Sequence, residues 1–85
     1  MSYDVEYTRD ALRQFASLPV DMQEKVAKKL ARLAEEPTKA ANVKALKGEE
    51  GYRLRVGDYR VVYYLEHKKL LVVVVRVAHR REVYR

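Results

Sequence analysis

Gly51-Tyr52-Arg53-Leu54-Arg55-Val56-Gly57-Asp58-Tyr59-Arg60-Val61-Val62-Tyr63-Tyr64-Leu65 sets a Gly-Asp pair between two runs rich in β-branched and aromatic residues. That spacing predicts a β-hairpin closed by a two-residue loop. With Gly57 and Asp58 as the loop, Val56 stands opposite Tyr59, Arg55 opposite Arg60, Leu54 opposite Val61, Arg53 opposite Val62 and Tyr52 opposite Tyr63. Side chains alternate between faces, so Tyr52, Leu54, Val56, Tyr59, Val61 and Tyr63 share one side. This side is the expected core. Arg53, Arg55, Arg60, Val62 and Tyr64 share the other.

Like charges directly opposite one another destabilise a sheet. Two guanidinium groups roughly 5 Å apart repel by about 1 kcal/mol in bulk water and about 3 kcal/mol at an effective dielectric of 20. A solvated face whose arginines splay apart is the bland explanation. Three arginines in this register, where Thr or Glu would serve a merely polar face, favour an anion site.

Outward from the hairpin, Glu66-His67-Lys68-Lys69 reads as a turn, and Leu70 to Val75 is a run apolar on both faces. Such a run suits the middle of a sheet covered on both sides. At the other end of the chain, Ser2 to Tyr7 alternates, predicting a short strand with Tyr3, Val5 and Tyr7 inward. Thr8 is the expected cap of a helix over Arg9 to Leu18 with Ala11, Leu12, Phe15 and Leu18 as its apolar stripe. Pro19 ends it. Val20 to Glu36 repeats the pattern with Met22, Val26, Leu30 and Leu33, and with Ala27 and Ala34 where helices approach closely. Lys25, Lys28, Lys29 and Arg32 form a solvated side paired at i,i+4, Glu24 with Lys28 and Arg32 with Glu36. The segment from Pro37 to Glu50 is expected to be a connector with at most one helical turn, anchored by Val43 and Leu46, with Lys39, Lys44 and Lys47 exposed.

The fold class that results is α+β: an N-terminal strand, a two-helix hairpin, then a three-stranded antiparallel meander in one sheet, with helices on one face. A single domain over residues 1–85 is expected, and the arginine face stays open.

The 85 residues contain no Cys, so neither a disulfide nor a Cys-ligated metal can staple the core. No window approaches the roughly 20 apolar residues of a membrane span, and no signal-peptide pattern opens the chain, so a cytoplasmic protein with no membrane partner is expected. Net charge is +6, and its distribution is uneven: residues 1–50 carry nine basic and nine acidic side chains, residues 51–85 nine and three. Localised positive charge on a sheet face with interleaved Tyr is the footprint of a polyanion partner, nucleic acid above all.

GxGxxG, P-loop and HExxH patterns are absent, and His67 and His79 lack a third ligand at plausible spacing. Asp58, Glu66 and Glu82 are the only acids after residue 50. A two-metal nuclease site is therefore not expected, and any phosphodiester chemistry would run without metal or cofactor. The tail His79-Arg80-Arg81-Glu82-Val83-Tyr84 follows the apolar strand and can fold back beside the hairpin. Tyr84 has two readings. It packs the C-terminal end onto the sheet, or it acts as a general base, because nearby guanidinium groups lower a phenol from its usual pKa of about 10.

On these residues the chain resembles the RelE-type toxins of the RelE/ParE superfamily. The resemblance runs from Tyr3 and the Leu12/Phe15 helix through Leu46-Lys47-Gly48, Tyr52-Arg53-Leu54-Arg55 and Gly57 to Tyr63, and on to the closing His79 to Tyr84. It implies a RelE-like microbial RNase fold and a small toxin that, on the ribosome, cuts messenger RNA with the substrate's own 2′-hydroxyl as nucleophile and no metal. It further implies Arg53, Arg55 and Lys47 as phosphate binders, Arg60 as transition-state stabiliser, Arg80 as proton donor to the 5′-oxygen and Tyr84 as base. His79 is an alternative acid or base. Arg replaces the commoner Lys at 53 and 55, which favours bidentate phosphate binding over proton transfer. The chain is also expected to lack the C-terminal helix of some relatives.

Partners implied by the resemblance are an acidic RelB-like antitoxin that covers or displaces the arginine face, the ribosome with its mRNA, and operator DNA reached through the antitoxin. A non-enzymatic ParE-like inhibitor of DNA gyrase and a plain RNA-binding module are the alternatives.

Overall fold

A computed structural model describes residues 2–37 and 42–81. Its elements are β1 (Asp4–Tyr7), α1 (Arg9–Ala16), α2 (Val20–Glu35), β2 (Val43–Ala45), β3 (Tyr52–Val56), β4 (Tyr59–Glu66) and β5 (Leu71–His79). The five strands form one sheet in the order β1-β5-β4-β3-β2. Neighbours β2 through β5 are antiparallel, whereas β1 runs parallel to β5 at the edge. The fold is thus α+β, and the expected three-stranded meander extends to four strands.

The hairpin has the register its loop predicts, with Val56 on Tyr59, Arg55 on Arg60 and Tyr52 on Tyr63. Gly57 supplies the positive φ of 58° that the first loop position needs. At Gly51 φ is +122°, and a Cβ there would lie 3.0 Å from the Tyr63 carbonyl oxygen, so only glycine allows β3 to start so close to β4.

Both helices lie on the Leu54/Val61 face. α1 packs on β5 and β1, while α2 crosses from β3 to β1. Val26, Leu30 and Leu33 of α2 meet Leu54, Val56, Val61, Tyr63, Val72, Val74 and Val77 in one fully buried cluster. Burying each such aliphatic side chain contributes roughly 1.5–3 kcal/mol, an upper estimate against a compact unfolded chain. Thr8 caps α1, its Oγ1 accepting from the Ala11 N–H at 3.2 Å. Gln23 Nε2 closes the corner around Pro19, donating to the carbonyls of Ala16 at 3.2 Å and Leu18 at 3.0 Å. Among the described residues no helix is long and apolar enough to cross a membrane.

Several sequence expectations change. The connector contains a strand: Val43, Lys44 and Ala45 pair with Leu54, Arg53 and Tyr52. Three residues are too few for a periodicity, and pairing to β3 decides their conformation. α1 ends at Ala16, where Ser17 caps it, and Leu12 is 57% exposed because the Ala11 side of the short helix is the one turned to the sheet. Ala27 is exposed as well, and Ala34 alone marks a close approach. Neither Glu24 with Lys28 nor Arg32 with Glu36 forms an ion pair among the described residues; such exposed pairs gain too little to hold two long side chains. Lys29 donates instead to the Arg55 carbonyl at 3.3 Å, at the β3 edge. The apolar run after Leu70 occupies mid-sheet as expected, but only Val72 and Val74 are buried, while Leu71, Val73 and Val75 stay half-buried on the face without helices.

β5 also changes phase. Its register with β4 passes from Tyr63–Val74 to Val62–Arg76, leaving Val75 as an extra residue in a β-bulge. Beyond the end of β1, the Gln14 side chain of α1 accepts from the Val77 N–H at 2.7 Å, occupying the donor that β1 no longer reaches.

Candidate active site

The face that no described helix covers is built in rungs. At the turn end, Arg55 pairs with Arg60 and Arg60 with Ala78. One rung along, Lys44 pairs with Arg53, Arg53 with Val62 and Val62 with Arg76. The next carries Tyr64 beside Val73. Paired residues in a sheet project to the same side, so five cations among the described strand residues share this face.

Arg60 is held by its own backbone turn. Its Nη1 donates to the Gly57 carbonyl at 3.1 Å and the Tyr59 carbonyl at 3.0 Å, which ties the guanidinium to its own hairpin turn. Partial desolvation, then the positive charges of Arg53, Arg55 and Arg80, lower its pKa from the ordinary guanidinium value, with Asp58 acting in the opposite sense. Arg60 therefore sits in the positive field of three other arginines. An anion entering among them relieves repulsion as well as gaining attraction, and the positive field exists before the anion arrives.

Arg80 reaches this group from the end of β5. Its backbone N–H donates to the Asp58 carbonyl at 2.8 Å. Its Nε stands 4.0 Å from Asp58 Oδ1, with both side chains more than half exposed. The backbone bond fixes where Arg80 leaves the sheet; the exposed ion pair adds little.

The other sequence candidates distribute differently. His79 pairs with Tyr59 on the opposite face, where the rings meet edge to face at 5.5 Å and 79°. Its Nδ1 accepts from the Arg81 N–H at 3.3 Å. Lys47 is exposed in the loop past Ala45, at the end of β3 remote from the Gly57-Asp58 turn. Tyr84 lies outside the described residues. The structure thus brings together Arg53, Arg55, Arg60 and Arg80, and it does not bring His79 or Lys47 to them.

Lys44 and Arg76 join the face without having been singled out as site residues. Strict alternation from Val72 and Val74 assigns Arg76 to the core, and an arginine at a core phase of a valine-rich strand is the one local signal that the phase slips. For Lys44 no such signal exists, since β2 is too short to read.

Comparison with known proteins agrees with this architecture. The family model for the ParE toxin of the type II toxin–antitoxin system parDE matches residues 5–84. The mRNA interferase toxin RelE of Escherichia coli strain K12 is 31% identical over 87 residues, spanning 99% of this chain and 92% of that protein. The crystal structure of the isolated Escherichia coli RelE toxin superposes with a TM-score of 0.81 at 31% identity, covering 98% of this chain and 92% of that one. A chain of the toxin–antitoxin complex RelBE2 from Mycobacterium tuberculosis gives a TM-score of 0.82 at 29% identity, covering 96% and 95%. By sequence family and by fold, the chain belongs to the RelE/ParE superfamily of toxins from toxin–antitoxin systems.

Proposed function

We propose that this protein is the toxin of a toxin–antitoxin pair and a ribosome-dependent, metal-independent mRNA endonuclease acting in the cytoplasm. The observation that carries the reading is the gathering of Arg53, Arg55 and Arg80 about a turn-anchored Arg60, on a sheet face that no described helix covers. In the reaction, the 2′-oxygen of one nucleotide attacks the adjacent phosphorus. The bond to the 5′-oxygen breaks, and a cyclic phosphate and a 5′-hydroxyl result. Tyr84 takes the 2′-proton, while Arg60, with Arg53 and Arg55, stabilises the doubly charged phosphorane. Arg80 is the donor to the departing 5′-oxygen. His79, on the far face with Tyr59, is the weaker candidate for acid or base.

The partner that the charge distribution fits is an acidic, partly disordered antitoxin of the RelB kind, which orders on the arginine face and, in the pair, carries the contacts to operator DNA. The ParE name of the matching family model favours a second reading, non-enzymatic inhibition of DNA gyrase. Arg60, Arg80 and Tyr84 argue for the nuclease, because a pure binder needs no base.

Primer extension on a message translated in vitro tests this. Wild type is expected to produce new 5′ ends within codons on the ribosome. Arg60→Ala is expected to lose roughly 10²- to 10³-fold in single-turnover rate, as for removal of one preorganised charge stabiliser. Tyr84→Phe keeps the ring and is expected to lose roughly 10²- to 10⁴-fold with ribosome binding retained. Unchanged cleavage by a folded Tyr84→Phe variant would refute the base assignment; intact message together with inhibited gyrase supercoiling would refute the nuclease.

A further inference from the structure

The rung next to the Arg55/Arg60 rung holds two cations that the cleavage chemistry does not use. Lys44, exposed on edge strand β2, flanks Arg53 on one side. Arg76, turned to this face by the bulge at Val75, stands beyond Val62 on the other. The Arg76 Nε is buried, so its stem is fixed against the sheet. Two residues along a strand advance by about 6.6 Å, comparable to the step between neighbouring phosphates on an extended single strand. The third rung presents Tyr64, half-buried, with its side chain on the same face.

We propose that Lys44 and Arg76, on either side of Arg53, form a second phosphate subsite that holds the phosphodiester next to the one bound at Arg60, with Tyr64 as the stacking surface for the adjoining base. The proposal rests on the nuclease reading for the identity of the first subsite. Regular rungs of cation, cation and aromatic ring match the repeat of a nucleic-acid strand, phosphate by phosphate and base by base. An acidic peptide has no such fixed alternation of charge and ring, so a single-stranded nucleic acid is the occupant the spacing selects.

Binding of short 2′-deoxy oligonucleotides, which cannot be cleaved, tests the subsite by fluorescence anisotropy. Each phosphodiester of a pentanucleotide is replaced in turn by a neutral methylphosphonate. Besides the phosphodiester bound at Arg60, one neighbouring position is expected at which neutralisation weakens wild type on the order of tenfold, from two cations each worth up to about fivefold. The same substitution is expected to cost Lys44→Ala/Arg76→Gln nothing further. For the unmodified strand, the slope of log K against log salt should be less steep in the double variant by about 0.7, one phosphate's share. Should Arg76→Gln disturb the sheet, Lys44→Glu, at an exposed edge position, must still weaken the unmodified strand and reduce the cost at that one position by about fivefold or more. Equal costs at every position in variant and wild type would overturn the subsite, as would a variant impaired only toward an acidic peptide. Because the readout is binding, a protein that binds in this pattern without cutting message loses the nuclease reading and keeps the subsite. One that cuts without the pattern does the reverse.

Discussion

Replacing Tyr63 with Phe should make the protein more stable and remove a specific dependence on alkaline pH. The Tyr63 side chain is wholly buried under the helices, and its hydroxyl finds no hydrogen-bond partner among the described residues. Burial, with a smaller contribution from Tyr52, pushes its pKa up to about 12. A phenol raised above its unfolded value near 10 keeps its proton in the folded state while the unfolded chain loses one. The associated stability is therefore fully present below about pH 10 and is lost as pH rises through about 12. A shift of that size corresponds to about 2–3 kcal/mol over the whole window, about half of it spent by pH 11. At pH 8 the variant sheds an unsatisfied hydroxyl, whose desolvation costs about 1–3 kcal/mol, and leaves a small void. A net gain of about 1 kcal/mol, or roughly 4–8 °C in Tm for a domain this size, is expected. The ring stack on Tyr52, with centroids 5.6 Å apart and 24° between planes, is unaffected by loss of the oxygen. Urea unfolding followed by far-UV circular dichroism at pH 8 and pH 11 measures both effects. Tyr7, also raised by burial, contributes in the same sense to both proteins and cancels in the comparison. A variant less stable than wild type at pH 8, or one that loses as much stability as wild type between pH 8 and 11, would show that the hydroxyl is satisfied and the reasoning wrong.

Two further perturbations probe the backbone that presents the arginine face. Gln14→Ala removes the acceptor of the Val77 N–H beside the bulge and is expected to cost about 1–3 kcal/mol, with faster hydrogen exchange at that amide; unchanged exchange would mean that β5 holds its bulge without α1. Gly51→Ala forces a side chain into a positive-φ site 3.0 Å from the Tyr63 carbonyl and is expected to lower Tm by several degrees, at about 1–3 kcal/mol for the backbone strain alone. A Tm equal to wild type would show that β3 can start further from β4.

The hairpin and its two faces were legible from residues 51–65 alone, because a two-residue loop ties each residue to its opposite number and strict alternation does the rest. The same locality made the Thr8 cap, the Val26/Leu30/Leu33 stripe and the inward Tyr3, Val5 and Tyr7 readable. Arg53, Arg55 and Arg60 fell on one face by that logic, and Arg80 joined them through the resemblance to RelE-type toxins. What the tertiary structure decided was everything whose cause lies in a distant segment. Val43 to Ala45 became a strand because β3 offered an unpaired edge, and this carried Lys44 onto the arginine face. Leu12 turned outward because the sheet covers only one side of α1. Arg76 changed faces through one extra residue in β5, at a place where β1 has ended and a glutamine from α1 supplies the missing backbone partner. A period of two is a local property and survives in the sequence. The residue at which that period slips is set by which remote groups satisfy the backbone, and only the folded chain brings those groups within reach.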